Sequence, residues 1–520
     1  MKLFRDSESR LSATPRYCGK KARHYGGLLA IFAIAVPVSA PIGQDAVTVS
    51  IVNMIPQSLS GESRTDSEPN LAVNPSNTQH IAASAFTPDP MGAANAPIYI
   101  STDGGQTWAL NSIVPGSRGD PDGFGTNDIT LRFGTTSNVL YAAILEEDVP
   151  SSGTTGGQLD ILRTNDFTSA NTMTPLASRR GVDMPYLEVT SVAGNDRVYV
   201  GNNDLRAPGG MTATVDRSLD ASTAPNPAGF ASQRVEARST CGRDAPSIRP
   251  AIHRRGTIYA AFFRWTQCAQ NQFPYISDVV VVRDDHFAAG PGTFMALREP
   301  PPPAGDGMPG VRVVRSVPVP FGRPILGNQR VGSRISIAVE PSNKRHVYLA
   351  WGHGDAASYA LYVRRSTDGG ATWGLNLRVI PQATNPSLAI NSRGRVGFLY
   401  QKLTGTAPNQ RWETHLERTD DAFATHTDLV LHHAPDNVGD ASGAGPLGDY
   451  SQLLAVGRDF YGVFSGNNTP DRANFPHGVK YQRNADFTTG KLLAVDNMTE
   501  VDPSIDPFFF KVSESRRRRR

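Results

Sequence analysis

The sequence predicts an all-β chain folded as a β-propeller of about seven four-stranded blades, with six blades plus a small β domain as the alternative. Three observations predict it. Glycine (49) and proline (39) are abundant and no sustained helical period occurs, which favours many short strands joined by turns. The octet Ser101-Thr102-Asp103-Gly104-Gly105-Gln106-Thr107-Trp108 returns as Ser366-Thr367-Asp368-Gly369-Gly370-Ala371-Thr372-Trp373, each time after an alternating apolar run. A strand centred on tyrosine recurs at 139–143, 197–200, 257–261, 346–350 and 459–463. Self-similarity at such a period is the mark of a repeat architecture.

Taken in order, residues 1–40 read as a secretory signal. Lys20, Lys21 and Arg23 precede the apolar run 28–36, and Val38-Ser39-Ala40 offers the small residues a signal peptidase takes. The run is too short to span a bilayer and Pro37 interrupts it; no later segment is apolar enough to cross. The expected mature protein is secreted, extracellular or periplasmic. Residues 41–63 form an N-terminal segment in which 46–52 is a candidate strand to complete the last blade, a place where the apolar end 505–510 could equally pack.

The propeller is expected over 64–512, in units that start near residues 64, 118, 180, 243, 328, 383 and 447, each with room for four strands. The stretch 299–327, with Pro300 to Pro303, is too proline-rich for a central strand and reads as a surface loop. Residues 513–520 are a basic tail. The formal net charge is +3, less than Arg516 to Arg520 alone contribute, so the body is near neutral and a nucleic-acid partner is not expected. Cys18 lies in the signal; Cys241 and Cys268 remain, and pairing between them is expected in an exported chain, with two free thiols as the alternative.

The octet has the chemistry of a hairpin turn. Asp103 can accept backbone N–H groups of its own turn, the glycine pair supplies positive φ, Thr107 closes the turn and Trp108 buries a ring. The pattern Ser-x-Asp-x-Gly-x-Thr-Trp resembles the Asp box, or BNR repeat, of sialidases and other β-propellers. That resemblance implies a box on the hairpin between the two outer strands of a blade, away from the active face. Segments such as 163–166, 217–220, 283–285 and 418–421 carry degenerate versions in phase with the two intact copies.

In a propeller the first strand of each blade lines the central channel, so residues at its start converge on one mouth. Here those starts are polar and bring Glu68, Asp128, Asp183, Asp244 and Asp449 together, with Arg249, Arg334, Tyr186 and Tyr450 nearby. Crowded carboxylates raise one another's pKa and suit acid–base work. The sialidase resemblance implies a sharper assignment: three arginines hold a substrate carboxylate, a tyrosine attacks with help from a glutamate, and an aspartate is the acid. Carried to this chain, the arginines are Arg64, Arg249 and Arg334, the nucleophile is Tyr450 with Asp449 beside it, the base is Glu188 and the acid Asp120 or Asp89. Asp183 and Asp244 are substrate contacts. The chain departs from the family in lacking its Arg-Ile-Pro motif; Ile248-Arg249-Pro250 is a scrambled form in the fourth unit.

Common zinc, thiol-redox and nucleotide motifs are missing, and no metal or cofactor is expected. The expected function is a sialidase-like glycoside hydrolase with a glycan or polysaccharide substrate. The alternatives are a non-catalytic glycan- or protein-binding propeller and a polysaccharide lyase.

Overall fold

The computed structural model describes residues 47–85, 95–115, 126–146, 157–223, 229–268, 273–332, 334–438 and 445–514. The signal sequence and the arginine run 516–520 lie outside them. The described residues are all β, with 3-10 turns at Gln57–Leu59, Pro208–Gly210 and Arg472–Asn474 and no helix long and apolar enough to cross a membrane.

Antiparallel four-stranded units follow one another along the chain. Sheet 1 comprises Asn70–Val73, Ile81–Ser84, Asn95–Ser101 and Ala109–Pro115. Sheet 2 comprises Thr126–Phe133, Leu140–Glu146, Gly157–Thr164 and the first half of Thr174–Val192. The second half of that long strand is the first strand of sheet 3, which continues through Asn195–Asp204, Ala213–Ser218 and Ala231–Arg234. Sheet 4 holds Arg249–His253, Thr257–Gln267, Tyr275–Asp284 and Val311–Val319; sheet 5 holds Ile335–Glu340, Asn343–His353, Ala360–Ser366 and Arg378–Pro381. Sheet 6 holds Ala383–Ile390, Val396–Thr404, Arg411–Thr419 and Thr427–Pro435.

Sheet 7 joins the two ends of the described chain. Gln452–Val456 pairs with Asp459–Asn467, which pairs with Ile505–Glu514, and that strand pairs with Val47–Asn53. Both segments expected to compete for this place are therefore present, side by side. The first strands of successive sheets touch one another, and the first strand of sheet 7 touches that of sheet 1.

The recurring tyrosine explains itself in this arrangement. Tyr141, Tyr199 and Tyr259 are fully buried, and each reaches from its own sheet into the next. Their hydroxyls donate to Asp196 Oδ2 (2.9 Å), the Phe287 carbonyl (2.8 Å) and the Lys344 carbonyl (2.7 Å). The ring supplies burial worth about 1.5–3 kcal/mol per large apolar side chain, and the hydroxyl fixes the spacing of neighbouring sheets. Apolar clusters fill these interfaces; one of them, with Val52, Leu71, Tyr99, Tyr461 and Phe509, lies between sheets 7 and 1.

Both octets close the hairpin between the third and fourth strands of their sheets. Thr107 donates through its N–H (2.9 Å) and hydroxyl (2.6 Å) to Asp103, and Gly105 N donates to Ser101 Oγ (2.9 Å). Thr372, Asp368, Gly370 and Ser366 repeat these bonds within 0.1 Å. Gly105 is obligatory twice over, with φ at +88° and a Cβ position 2.2 Å from the Phe509 ring. One degenerate copy is complete in three dimensions: Thr419, Asp421 and Thr425 make the same bonds, with Ala422 and Phe423 held at positive φ.

The stretch 299–327 is a loop only in part, since Val311–Val319 forms the fourth strand of sheet 4 and Arg323–Leu326 starts a small hairpin with Gln329–Val331. Pro318 is tolerated because that strand lies at the sheet edge, where one face of the backbone needs no ladder partner. Cys241 and Cys268 are joined in a disulfide.

Candidate active site

Along the first strands, side chains alternate between the packed layer and the opposite face. In Thr126–Phe133 the apolar Ile129, Leu131 and Phe133 are buried in the core, leaving Asp128 and Arg132 on the other face. In the strand of sheet 3, Leu187 and Val189 are core and Tyr186 and Glu188 take the other face. A cavity of about 130 Å³ opens between these strands, walled by Arg132, Tyr186, Glu188, Arg249, Arg334 and Tyr450 among others.

Asp449 anchors one side. Its two oxygens accept from Arg334 Nη2 and Arg330 Nη2, both at 2.9 Å, and its carbonyl accepts from Arg334 Nη1 at 2.6 Å. Burial pushes this carboxyl up, but the two guanidinium groups outweigh it and hold it below the ordinary range. The Asp449 N–H donates to Glu68 Oε1 (2.9 Å), and Gly448 has no room for a side chain because Glu68 Cγ would lie 2.2 Å away.

Glu68 and Asp128 form the opposite electrostatic situation. Their carboxyls are hydrogen-bonded to each other, and among the described residues neither is ion-paired with an arginine, Arg334 acting on Glu68 only from a distance. Burial first, then the charges of Asp449 and Asp128, pushes Glu68 well above the carboxylate range, so Glu68 is the protonated member. Asp128 is pushed up to about 6, mainly by burial, although the hydrogen bond from Tyr450 pulls against it. The Tyr450 hydroxyl donates to Asp128 Oδ1 at 2.8 Å, and burial beside that carboxylate keeps the phenol neutral.

Arg249 is the remaining buried charge. It is 6 % exposed and makes no hydrogen bond or ion pair among the described residues. Its guanidinium instead lies over the rings of Tyr186 at 4.2 Å and Tyr450 at 5.8 Å, with burial lowering its pKa. A buried guanidinium on a cavity wall without an ion-paired carboxylate has the chemistry to receive an anionic group.

No family model and no curated protein matches the chain. Solved structures similar to it include an ulvan lyase, a polysaccharide lyase (9 % identity, 78 % of this chain and 92 % of that one, TM-score 0.46). An endosialidase of phage phi92 is also similar (10 %, 91 % and 70 %, TM-score 0.45). A third is the α-L-arabinofuranosidase of Fusarium graminearum (9 %, 91 % and 98 %, TM-score 0.41).

Of the residues singled out in the sequence, the structure brings Tyr450, Asp449, Arg249, Arg334 and Glu188 to the cavity wall. Glu188 accepts from Arg132 Nη2 (2.9 Å), so the acid in contact with Tyr450 is Asp128 instead. Asp183 is half-buried near Asp449 and Arg330, and burial raises its pKa. Asp244 is not part of the wall: fully buried, it accepts from Thr212 N (2.8 Å) and Ala213 N (3.0 Å), and burial pushes it up to about 8. Arg64 is exposed and also off the wall. Asp120 and Asp89 lie outside the described residues. Arg132 and Arg330 were missed. Arg132 could have been found as a charge on the outward face of an otherwise apolar alternation; Arg330 lies just past the stretch read as a loop, at the expected start of the fifth unit, where no site residue was sought.

Proposed function

We propose that the chain is a glycan-processing enzyme, a glycoside hydrolase acting on sugars that carry a carboxylate, at the mouth of a seven-bladed propeller closed by Val47–Asn53 and Ile505–Glu514. The observation that carries this reading is Arg249, a buried guanidinium on the cavity wall with two tyrosine faces and no ion-paired acid among the described residues. An anionic sugar docked there would lie beside Tyr450. A neutral phenol does not repel such a substrate, and Asp128 can take its proton as the oxygen attacks the anomeric carbon. Asp183, held protonated further up the pH scale than an ordinary aspartate, is the group to protonate the departing oxygen. Water then releases the sugar from Tyr450, and the protons return.

The octets read as Asp boxes that build the scaffold. Export is read from the pattern of residues 20–40 and agrees with the disulfide, which persists in an oxidising compartment.

The test is turnover by the purified chain on reporter sialosides and on polyuronates, with Tyr450→Phe and Arg249→Ala beside it. Loss of hydrolysis by about 10³-fold in Tyr450→Phe is expected. In Arg249→Ala the carboxylate substrate should lose more than its neutral methyl ester. An unsaturated product from a polyuronate would move the chemistry to a lyase. Silence on every anionic glycan by a folded protein would leave a binding module.

A further inference from the structure

Tyr186 lines the same cavity as Tyr450 but takes no part in the steps described above. It stands on the first strand of sheet 3, and the Arg249 guanidinium lies over its ring, 4.2 Å from the ring centre. Its hydroxyl oxygen receives two hydrogen bonds, from Arg132 Nη2 and from Gln452 Nε2, each at 3.2 Å.

Neither donor can become an acceptor. A guanidinium carries only donors, and this one is buried with its Nη1 on the Leu71 carbonyl (3.1 Å) and the Leu131 carbonyl (2.7 Å). The Gln452 amide has an oxygen and a nitrogen that could change places, but its Oε1 accepts from the Leu71 N–H at 2.9 Å, which leaves Nε2 facing Tyr186. The backbone of Leu71 in sheet 1 thus orients both partners. A phenol oxygen offers two lone pairs and one proton. Here both lone pairs are taken, and the proton meets no acceptor among the described residues. Tyr186 therefore presents the cavity with a hydrogen-bond donor and cannot receive one. Arg249, stacked on it, likewise only donates.

We propose that Tyr186 is a specificity-determining residue: with Arg249 it forms a donor-only pair for the substrate carboxylate, Arg249 taking one oxygen and the Tyr186 hydroxyl the other. A sugar hydroxyl placed there would use its oxygen and leave its own hydrogen in search of a partner, whereas an ionised carboxylate is satisfied by donors alone. The assignment rests on the reading of Arg249 given above and adds a direction to it. A guanidinium stacked on two rings can meet an anion in several poses, and the O–H oriented through Leu71 selects one of them. Because the carboxylate does not react, this bond is made equally before and during the chemical step, so it governs binding and not the rate of bond cleavage.

Binding of free glucuronic acid and sialic acid to the full chain, measured by calorimetry, tests this without turnover. Tyr186→Phe keeps the ring against Arg249 and should bind the acid that the native chain binds about 10–100-fold more weakly, with a smaller loss for its methyl ester. On a reporter glycoside that the native chain hydrolyses, the same variant should raise KM by that factor and leave kcat within about threefold. Gln452→Glu puts an acceptor where Nε2 now donates and draws the Tyr186 proton away from the cavity; in that background Tyr186→Phe should cost nothing further. Unchanged affinity in Tyr186→Phe would overturn the pairing and leave the reading of Arg249 standing. An equal loss for acid and ester would place the hydroxyl on another oxygen and overturn it too. Weakened binding by Tyr186→Phe of an acid that the native chain binds but never releases from a glycoside would support the pairing and overturn only the hydrolase. Failure of the folded native chain to bind either acid would overturn both.

Discussion

The aspartates at the two ends of the sheets are held in opposite electrostatic states. At the end where third strands finish, burial is the largest single influence on Asp103 and Asp368 and raises them, but bonds from Thr107 or Thr372 and from a serine hydroxyl together outweigh it and hold both below the ordinary range. At the other end, where first strands begin, burial dominates and Glu68, Asp128 and Asp183 are all raised. The hairpin acids are satisfied by their own turn, so they can do nothing further. The mouth acids depend on partners from distant sheets and hold their protons to higher pH than ordinary carboxylates. Repetition along the sequence thus marks what builds the scaffold, and chemistry resides in the residues that do not repeat.

Substitution at the mouth should break this contrast most. Asp128→Asn removes the acceptor for the Tyr450 proton, and turnover is expected to fall about 10²–10⁴-fold while the fold persists. Asp128 must be ionised to act, and its pKa is raised to about 6, so native activity should rise with pH through about 6. That limb should vanish from the residual activity of the variant. A pH–rate profile of both proteins decides it; an unchanged acid limb in the variant would assign the titration to another group.

The hairpin end should respond in the other sense. Asp103→Ala deletes the acceptor for the Thr107 hydroxyl and N–H and for the Gln106 N–H. With Asp103 partly solvated, about 1–2 kcal/mol of stability should be lost. Turnover at saturating substrate should not change, because the turn lies at the opposite end of its sheet from the cavity. Denaturant titration read beside a kinetic assay tests both halves, and a large fall in turnover without unfolding would refute the division between the two ends.

The same division explains what could be read in advance. Unit starts near 64, 118, 180, 243, 328, 383 and 447 precede or meet first strands that include Asn70–Val73, Thr126–Phe133, Arg249–His253 and Gln452–Val456. They were legible because tyrosines and turn residues must recur wherever a sheet packs on the next. The hairpin at Asp421 was legible only by phase, since Ala422 and Phe423 replace the glycines and accept positive φ. The mouth was legible as a concentration of acids but not as a set of pairs. Asp128 and Tyr450 are 322 residues apart, and which acid meets the phenol depends on how the first strands of distant sheets are brought together. Glu188 had the right chemistry and chain position for that role, but Arg132 takes it. Asp244 had the right position at a strand start and is instead enclosed by backbone N–H groups.

A buried titratable group with neither kind of partner sharpens the comparison with the smallest effect. His432 sits in sheet 6 against Phe464, Phe475 and Phe508, and its Nε2–H donates to the Asn467 carbonyl at 3.1 Å. Burial in that apolar setting lowers its pKa to about 4. The unfolded chain takes up a proton at this position below about 6.5, whereas the folded chain resists until about 4, so the unfolded state binds more protons between those values. Stability is therefore complete above about 6.5 and declines as pH falls towards 4, by about 1 kcal/mol per unit from this residue. His432→Phe should be less stable at pH 7 through loss of the Asn467 bond, yet lose less on going from pH 7 to pH 5 than the native chain. Unfolding free energies at the two pH values measure the slopes directly. Parallel slopes would mean that His432 is protonated in the folded state after all, which would require an acidic partner that the phenylalanine cage does not offer.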